Sequence, residues 1–294
     1  MEIKDIDNVI SELESKSDEL KDKENLLWLK RNYNGPDEVV PADVLYKALK
    51  RDKPQFSVIS NIKGLDVITG GFRPGNLIII SGPTKQGKTT FCQTLTYNFW
   101  QQKYESLWFS FDTPPQELIE RFPKGRMPKF YLPRTNIIGK KIRWIEAKII
   151  EGIAKYGIRI VFIDHLESLA LFSNNAPNYS AELQSIVKEL KEISMRWNVV
   201  ILLNHHIRQI HDNEAPNWTQ LKNSSGPAQE SDMTIMVWRN RIKTSLPGEI
   251  VYEDTANISV QLNRRTGKTG TIKVDFKDNL FYESGGIQRK ANSF

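Results

Sequence analysis

Residues 78–90 read Ile78-Ile79-Ile80-Ser81-Gly82-Pro83-Thr84-Lys85-Gln86-Gly87-Lys88-Thr89-Thr90. The apolar, β-branched start is typical of a buried strand, and it leads directly into the pattern G-x-x-x-x-G-K-T and a helix. In such a turn the glycines let backbone N–H groups point inward, Lys88 reaches the β- and γ-phosphates, and the Thr89 hydroxyl can ligate Mg²⁺. A chance match is the alternative, which the flanking strand and helix disfavour. Residues 82–90 are therefore predicted to bind a nucleoside triphosphate.

Strand and helix patterns alternate around this loop. Buried strands are predicted at 107–111, 159–163, 199–203 and 233–237, with helices at 142–156 and 181–196. Helices that alternate with buried strands indicate a doubly wound, mostly parallel α/β sheet. Shorter strands at 258–262 and 271–276 predict an antiparallel extension at one edge of that sheet.

The first 56 residues differ from the rest in pattern. An amphipathic helix is predicted at Asp5–Lys21, a second helical patch at Leu26–Lys30, and a short helix at Ala42–Lys50 within a linker. The apolar stripe of the first helix leaves two alternatives open, docking on its own domain or on a neighbouring subunit. We expect a helical segment at 1–56, a core domain at 57–283 and a flexible tail at 284–294.

Composition limits the class of protein. A chain of 294 residues with 39% hydrophobic content can bury one full α/β core. No apolar run reaches the length of a membrane span and the N-terminus is polar, so we expect a cytoplasmic protein. Since Cys92 is the single cysteine, we expect neither a disulfide nor a zinc site within one chain. The net charge of +6 permits a polyanionic partner.

Two aspartates follow predicted strands, at the sheet edge where open α/β folds place ligands. Asp164 comes after Ile160–Ile163, in the form of a Walker B aspartate that holds Mg²⁺ through water. Asp112 follows Leu107–Phe111 and is predicted to polarise the water that attacks the γ-phosphate. Helix capping is the alternative role for both, and it is stronger for Asp112 because a Thr-Pro-Pro turn comes next.

Over residues 57–283 the chain resembles the RecA-like ATPase domain of ring-shaped hexameric replicative DNA helicases, the DnaB type and the helicase half of phage primase-helicases. The residues that carry the resemblance are Gly64-Leu65-Asp66, Thr69–Gly75, Phe109–Asp112 and Ile163–Leu166. Later segments fit as well, namely Leu203–Arg208, Ser224–Asp232, Val237–Asn240 and Arg265–Thr271.

The resemblance implies roles for residues that follow the strand predicted at 199–203. His206, favoured over His205 by its spacing, would sense the γ-phosphate, with a surface histidine as the alternative. The loop from about Arg208 to Lys222 would line the central channel, and these two residues would contact DNA phosphates.

The resemblance also implies roles for three arginines. Arg239 would lie beside the nucleotide base. Arg265 would be an arginine finger that completes the site of the adjacent subunit, although Arg264 leaves that assignment open. An exposed arginine pair on a hairpin is the alternative.

The implied function is an ATP-dependent DNA helicase with ATP and Mg²⁺ as cofactors, assembling as a homo-oligomeric, hexameric ring on single-stranded DNA during replication. A phage source and a primase or helicase loader as partner are further expectations. Asp112 departs from the family's usual glutamate, which shortens the base by one methylene and puts full hydrolysis in doubt. A recombination or repair filament ATPase, and a regulatory or assembly module with weak hydrolysis, therefore stay open as alternatives.

Overall fold

The computed structural model describes residues 15, 21–24, 27, 39–51, 56–123, 125–134, 139, 141–170, 178–207, 214–221, 226–242 and 251–284. The chain divides into two units, Met1–Pro54 and Gln55–Phe294. In the first unit helix α1 spans Ala42–Arg51, close to the short helix predicted there. The helices predicted at Asp5–Lys21 and Leu26–Lys30 lie largely outside the described residues.

The second unit alternates strands with helices. The helices are α2 (Lys63–Thr69), α3 (Lys88–Gln101), α4 (Pro115–Glu120), α5 (Ile142–Tyr156), α6 (Tyr179–Arg196) and α7 (Gly226–Glu230), with short 3₁₀ turns at Leu166–Leu169 and Trp218–Gln220. The strands are β1 (Leu77–Gly82), β2 (Ser106–Ser110), β3 (Phe130–Tyr131), β4 (Ile160–Asp164), β5 (Val200–His206), β6 (Met233–Trp238), β7 (Arg241–Ile242), β8 (Val251–Tyr252), β9 (Thr255–Asn263), β10 (Gly270–Lys277) and β11 (Leu280–Glu283). Among the described residues, no helix is long and apolar enough to cross a membrane.

Within the described residues nine strands form one sheet, in the order β11-β10-β9-β6-β1-β5-β4-β2-β3, while β7 pairs with β8 separately. Neighbours from β6 to β3 run parallel, and β9, β10 and β11 add antiparallel pairs beyond β6. This topology confirms the predicted doubly wound sheet with an antiparallel extension. The sequence analysis missed β3, β11 and the β7–β8 pair, each only two to four residues long.

Strand β1 lies in the middle of the sheet and is buried along its whole length. Ile78 and Ile80 belong to one apolar cluster with side chains of α3, whereas Leu77 and Ile79 belong to another with side chains of α5 and α6. Successive side chains of a strand point to opposite faces, so an uninterrupted apolar run is needed when helices cover both faces. This burial on both faces explains the β-branched run Ile78-Ile79-Ile80.

The N-terminal end of β1 is held by Asp232, at the edge of the sheet opposite the phosphate-loop segment. Its carboxylate accepts the Leu77 N–H at 2.7 Å and the Lys191 ammonium at 2.7 and 2.9 Å. The Asp232 N–H donates to the Leu77 carbonyl oxygen at 2.9 Å. The segment that resembled a helicase motif therefore ends on a residue that joins β1, β6 and α6.

Strand β11 packs against α3, although it lies at the far end of the sheet order. The Phe281 N–H donates to Thr94 Oγ1 at 2.9 Å. The Phe281 ring reaches the start of α3, where a Cβ placed on Gly87 would lie 2.8 Å from its Cζ atom. The antiparallel extension thus contacts the beginning and the middle of the helix that follows the loop.

We predict that Asp232→Ala lowers the free energy of unfolding by about 1–3 kcal/mol, because it leaves the buried Leu77 N–H and the Lys191 ammonium without their acceptor. Urea denaturation measures this change. The control is Asp254→Ala, since Asp254 is 96% exposed and forms a surface ion pair at 3.8 Å to Arg239. Equal effects of the two substitutions would contradict the anchoring role.

Candidate nucleotide-binding site

The loop between β1 and α3 contains the predicted residues Pro83, Thr84, Lys85 and Gln86, with Thr90 in the first turn of α3. Gly82 has φ 147° and Gly87 has φ 105°, values that a side chain rarely tolerates. A Cβ on Gly82 would also lie 2.0 Å from the carbonyl oxygen of Val237 on β6. The turn can therefore start directly at the strand end, and it leads into the N-terminus of α3, where free N–H groups attract anions.

Lys88 opens α3 and is only 8% exposed. Its ammonium donates to the carbonyl oxygens of Gly82 and Pro83 at 2.9 and 3.0 Å, so it lies inside the curve of the loop. Burial lowers the pKa of Lys88, and the negative charges of nearby carboxylates oppose that shift; the contributors are Asp164, Glu167 and Asp112. A positive charge held this way is suited to bind phosphate oxygens.

Thr89 and Asp164 form the part of the site suited to a metal ion. The Thr89 hydroxyl donates to Asp164 Oδ2 at 2.9 Å, and Asp164 is 5% exposed at the end of β4. A hydroxyl and a carboxylate in contact offer the hard oxygen ligands that Mg²⁺ prefers. The two residues predicted for metal binding are thus brought together, although they are 75 positions apart.

Asp112 follows the neighbouring strand β2. The Phe111 N–H donates to the Asp164 carbonyl oxygen at 2.7 Å, so the ends of β2 and β4 lie side by side. The negative charge of Asp112 is one of those that oppose the lowering of the Lys88 pKa. Glu117, another acid in the segment after β2, is exposed on α4 and forms an ion pair with Arg121.

His206 lies at the end of β5, directly opposite Gly82 in the parallel pairing with β1. It is partly buried, and burial lowers the pKa of His206 to about 4; Lys88 and two other histidines act in the same direction, while Glu167 opposes them. His205 differs because it is fully buried. Of these two histidines, only His206 is partly exposed, on the strand end beside the loop.

Glu167 joins the ends of β4 and β5, a role that the sequence analysis did not anticipate. Its Oε1 accepts the His206 N–H at 3.0 Å and lies 3.1 Å from Nδ1 of His205. Burial alone would raise the pKa of Glu167, but the His205 hydrogen bond and the nearby histidine charges outweigh it and hold the pKa at about 2. The sequence did contain a signal for this role, because Glu167 comes three residues after Asp164. If a helical turn follows the strand, residues at this spacing lie on the same side of the turn.

Arg239 directly follows β6, and its side chain contacts residues of β8 and β10. Its guanidinium donates to the Glu253 carbonyl oxygen and lies 4.3 Å from the centre of the Phe276 ring and 5.6 Å from that of Tyr252. An arginine held over aromatic faces has a fixed orientation. The predicted contact with a base therefore stays a proposal.

The two arginines of the β9–β10 turn differ in their surroundings. Arg265 donates to the carbonyl oxygens of Thr69 and Gly71 in its own chain. Arg264 has an exposed side chain and makes no side-chain hydrogen bond or ion pair with the described residues. A role of Arg265 in a neighbouring site would require it to exchange its bonds to α2 and the following turn.

Arg208 and Lys222, predicted to contact DNA, lie outside the described residues. The neighbouring positions are defined, since Ile207 and Leu221 form an antiparallel bridge. The loop therefore leaves and rejoins the core at one place, immediately beyond His206.

A glycine-rich turn between a central parallel strand and a helix, with its threonine bonded to a strand-end carboxylate, defines a RecA-like phosphate-loop domain. The model for the DnaB-like helicase C-terminal domain matches residues 129–282, and that for the KaiC ATPase family matches residues 58–127. The first match covers more than half of the 294 residues. The chain belongs to the DnaB-like helicase C-terminal domain family, as the sequence motifs indicated.

Curated relatives and solved structures agree with this placement. The chain is 25% identical over 265 residues to a probable replicative DNA helicase of Trieres chinensis, covering 78% of this chain and 58% of that protein. It is 20% identical to the replicative DNA helicase DnaB of Treponema pallidum, covering 75% of this chain and 54% of the relative. The chain thus spans little more than half the length of these relatives.

A solved DnaB-like replicative helicase, described together with its interactions with primase, has a similar fold. Its TM-score is 0.67 at 18% identity, with 88% of this chain and 70% of that chain covered. A second solved structure, of an ATPase domain, gives the same TM-score and covers 82% of this chain and 96% of that one. These likenesses confirm the RecA-like fold.

We predict that Glu167→Gln destabilises the protein in a pH-dependent way. The pKa of Glu167 is about 2 in the folded protein against an ordinary value of 4.5, so ionised Glu167 stabilises the fold fully above about pH 5. That contribution is lost as the pH falls from about 5 toward 2. Relative to wild type, the variant should lose about 3 kcal/mol at pH 7 and less than half of that at pH 3.

Urea unfolding at the two pH values measures the difference. Glu117→Gln is the matched control, because that carboxylate is 53% exposed in a surface ion pair and should have little effect at either pH. A loss for Glu167→Gln that is the same at pH 7 and pH 3 would show that ionisation of Glu167 is not responsible.

Proposed function

We propose that this chain is the motor domain of an ATP-dependent DNA helicase that assembles as a homo-oligomeric ring and moves along single-stranded DNA in replication. The observation that carries the proposal is the position of His206. It lies beside Gly82 of the phosphate loop and one residue ahead of Ile207, where the predicted DNA-contacting loop begins. Family membership and similarity to replicative helicases support the same function.

The site chemistry follows from the geometry of the loop. Lys88 and the N–H groups of residues 82–90 would bind the phosphates of ATP, and Thr89 and Asp164 would hold Mg²⁺ directly and through water. Bound Mg²⁺ would neutralise charge on the β- and γ-phosphates. Asp112 would accept a proton from the attacking water, as general bases on strand ends do.

Coupling to DNA would pass through the end of β5. The His206 N–H is bonded to Glu167, which fixes the backbone at this strand end relative to β4 and Asp164. A change at the γ-phosphate that moved the His206 side chain would act on the adjoining loop, whose ends carry Arg208 and Lys222. Contacts of these residues to DNA phosphates would be independent of sequence and sensitive to salt.

Assembly would complete the site. The β9–β10 turn would supply an arginine finger, Arg265, to the phosphate loop of a neighbouring subunit, with Arg264 as the alternative. In a closed heterologous ring each subunit presents one surface to the next, so every interface forms one complete site. Residues 1–56 would form a helical segment that can dock on a neighbour, 57–283 the motor core, and 284–294 a tail.

We predict that ATP hydrolysis increases in the presence of single-stranded DNA and is lost in Lys88→Ala. Asp112→Asn should remove most turnover but retain nucleotide binding, because an amide cannot accept the proton from water. Steady-state ATPase assays with and without single-stranded DNA, run beside a measurement of oligomer mass and of duplex unwinding, test these points. Glu117→Gln is the matched acid control and should keep wild-type turnover.

The outcomes separate the candidate functions. Nucleotide-dependent oligomers whose slow ATPase ignores DNA would favour a regulatory module instead. DNA-stimulated filaments that do not separate strands would favour a recombination ATPase.

A subunit-mixing experiment tests the shared site. Lys88→Ala has a defective loop and an intact finger, whereas Arg265→Ala has the reverse, so some interfaces in a mixed ring combine two intact parts. We predict that the two inactive variants regain ATPase activity when they are assembled together, and that Arg264→Ala alone keeps activity. No recovery in a mixed oligomer confirmed by mass would exclude a finger that acts from Arg265, and recovery only with Arg264→Ala would assign the role to that residue.

A further inference from the structure

A second group of potential metal ligands lies beyond the Thr89–Asp164 pair. One ligand atom from each of His165, Glu167 and His206 lies within 4.8 Å of the other two. The two imidazole rings meet edge to face, with their centroids 4.4 Å apart. His165 directly follows β4, Glu167 lies in the 3₁₀ turn that comes next, and His206 is the last residue of β5.

Three buried polar atoms of this group have no hydrogen-bond partner within the described part of the chain. Among the described residues, the buried atoms that lack a hydrogen bond include His165 Nδ1, Glu167 Oε2 and His206 Nδ1. Glu167 is the strongest case, since its side chain is only 7% exposed. A buried carboxylate oxygen without a donor is costly to desolvate unless a cation or a donor binds it.

Glu167 is also oriented for coordination. Both of its hydrogen bonds, from His205 and from the His206 N–H, go to Oε1. Oε2 is left facing Nε2 of His165, 3.7 Å away. Neighbours that fix one oxygen of a carboxylate and leave the other free are the usual supports of a metal ligand.

We propose that His165, Glu167 and His206 form a binding site for one divalent transition-metal ion of the Zn²⁺ class, separate from the Mg²⁺ position at Thr89 and Asp164. Two imidazoles and one carboxylate suit Zn²⁺, Co²⁺ or Ni²⁺, whereas Mg²⁺ prefers oxygen ligands. The sequence expectation of no zinc site relied on the cysteine count and did not consider this set. Three protein ligands leave a coordination position for water or a phosphate oxygen.

The required movement is small. Ligand atoms about 2.1 Å from a tetrahedral ion lie about 3.4 Å apart, so the set must contract by roughly an ångström. His165 and His206 are both partly exposed and can rotate about their side-chain torsions. Because His206 is also the proposed γ-phosphate sensor, a metal ion there would hold that side chain away from the phosphate and inhibit turnover, a consequence that rests on the proposed function.

The test reads metal binding directly, without nucleotide. Tag-free protein is titrated with Co²⁺ while visible absorption bands of the bound ion are followed, and Zn²⁺ is used as a competitor. We expect one Co²⁺ per chain, bound more tightly than about 1 mM and displaced by Zn²⁺. His165→Ala and Glu167→Gln should each weaken binding by about tenfold or more.

Two variants serve as controls. Thr89→Val removes the hydroxyl at the Mg²⁺ position and should leave Co²⁺ binding unchanged. His211→Ala removes the remaining histidine outside the 165, 205 and 206 set and should also leave it unchanged. Circular dichroism shows that each variant is folded, and X-ray absorption at the zinc edge should report two imidazole ligands.

Several results would overturn the site. These are the absence of stoichiometric binding, binding that survives in folded His165→Ala, or binding lost in His211→Ala. Loss of Co²⁺ binding in Thr89→Val would mean that the ion uses the Mg²⁺ position. Failure of DNA-stimulated hydrolysis would count against the proposed function alone, because the titration contains neither ATP nor DNA.

Discussion

The site depends on the close approach of β1 and β6 at Gly82. The carbonyl oxygen of Val237 occupies the space that a side chain would need, so the two backbones can pair up to the point where the chain turns. The start of the loop is thereby fixed beside the ends of β5 and β4, on which His206 and Asp164 lie. A bulkier residue at this position would displace the start of the loop and, with it, Lys88 at the beginning of α3.

Apolar burial holds the strands together, but polar bonds set the relation between their ends. Thr89 is hydrogen-bonded to Asp164, and Glu167 is hydrogen-bonded to the backbone of His206. These bonds connect the loop to β4, and the turn after β4 to β5. Each of these bonds has a strict geometry, so it fixes the relative position of two strand ends as well as contributing to stability. The strand interiors therefore need apolar side chains, whereas the strand ends need the particular polar groups that form these bonds.

The main strands and helices of the sheet could be predicted from the sequence because their signals are local. The β-branched run before Gly82 and the helical periodicity of 142–156 both reflect burial that acts within one element. Glu167 was not predicted because its role depends on His205 and His206, which are 38 and 39 positions away. The bonds of Arg265 to Thr69 and Gly71 were equally out of reach, since they join segments nearly 200 residues apart.

The contact of Phe281 with Gly87 links the antiparallel extension to the phosphate loop of the same chain. Strands β9, β10 and β11 are hydrogen-bonded in series, and the Arg264-Arg265 turn lies between the first two. A force applied to that turn by a neighbour would be transmitted along the paired strands to the aromatic ring that presses on the start of α3. Under the ring assembly proposed above, a contact of that turn with a neighbour would reach the start of α3 through paired strands, without any direct bond to the bound nucleotide.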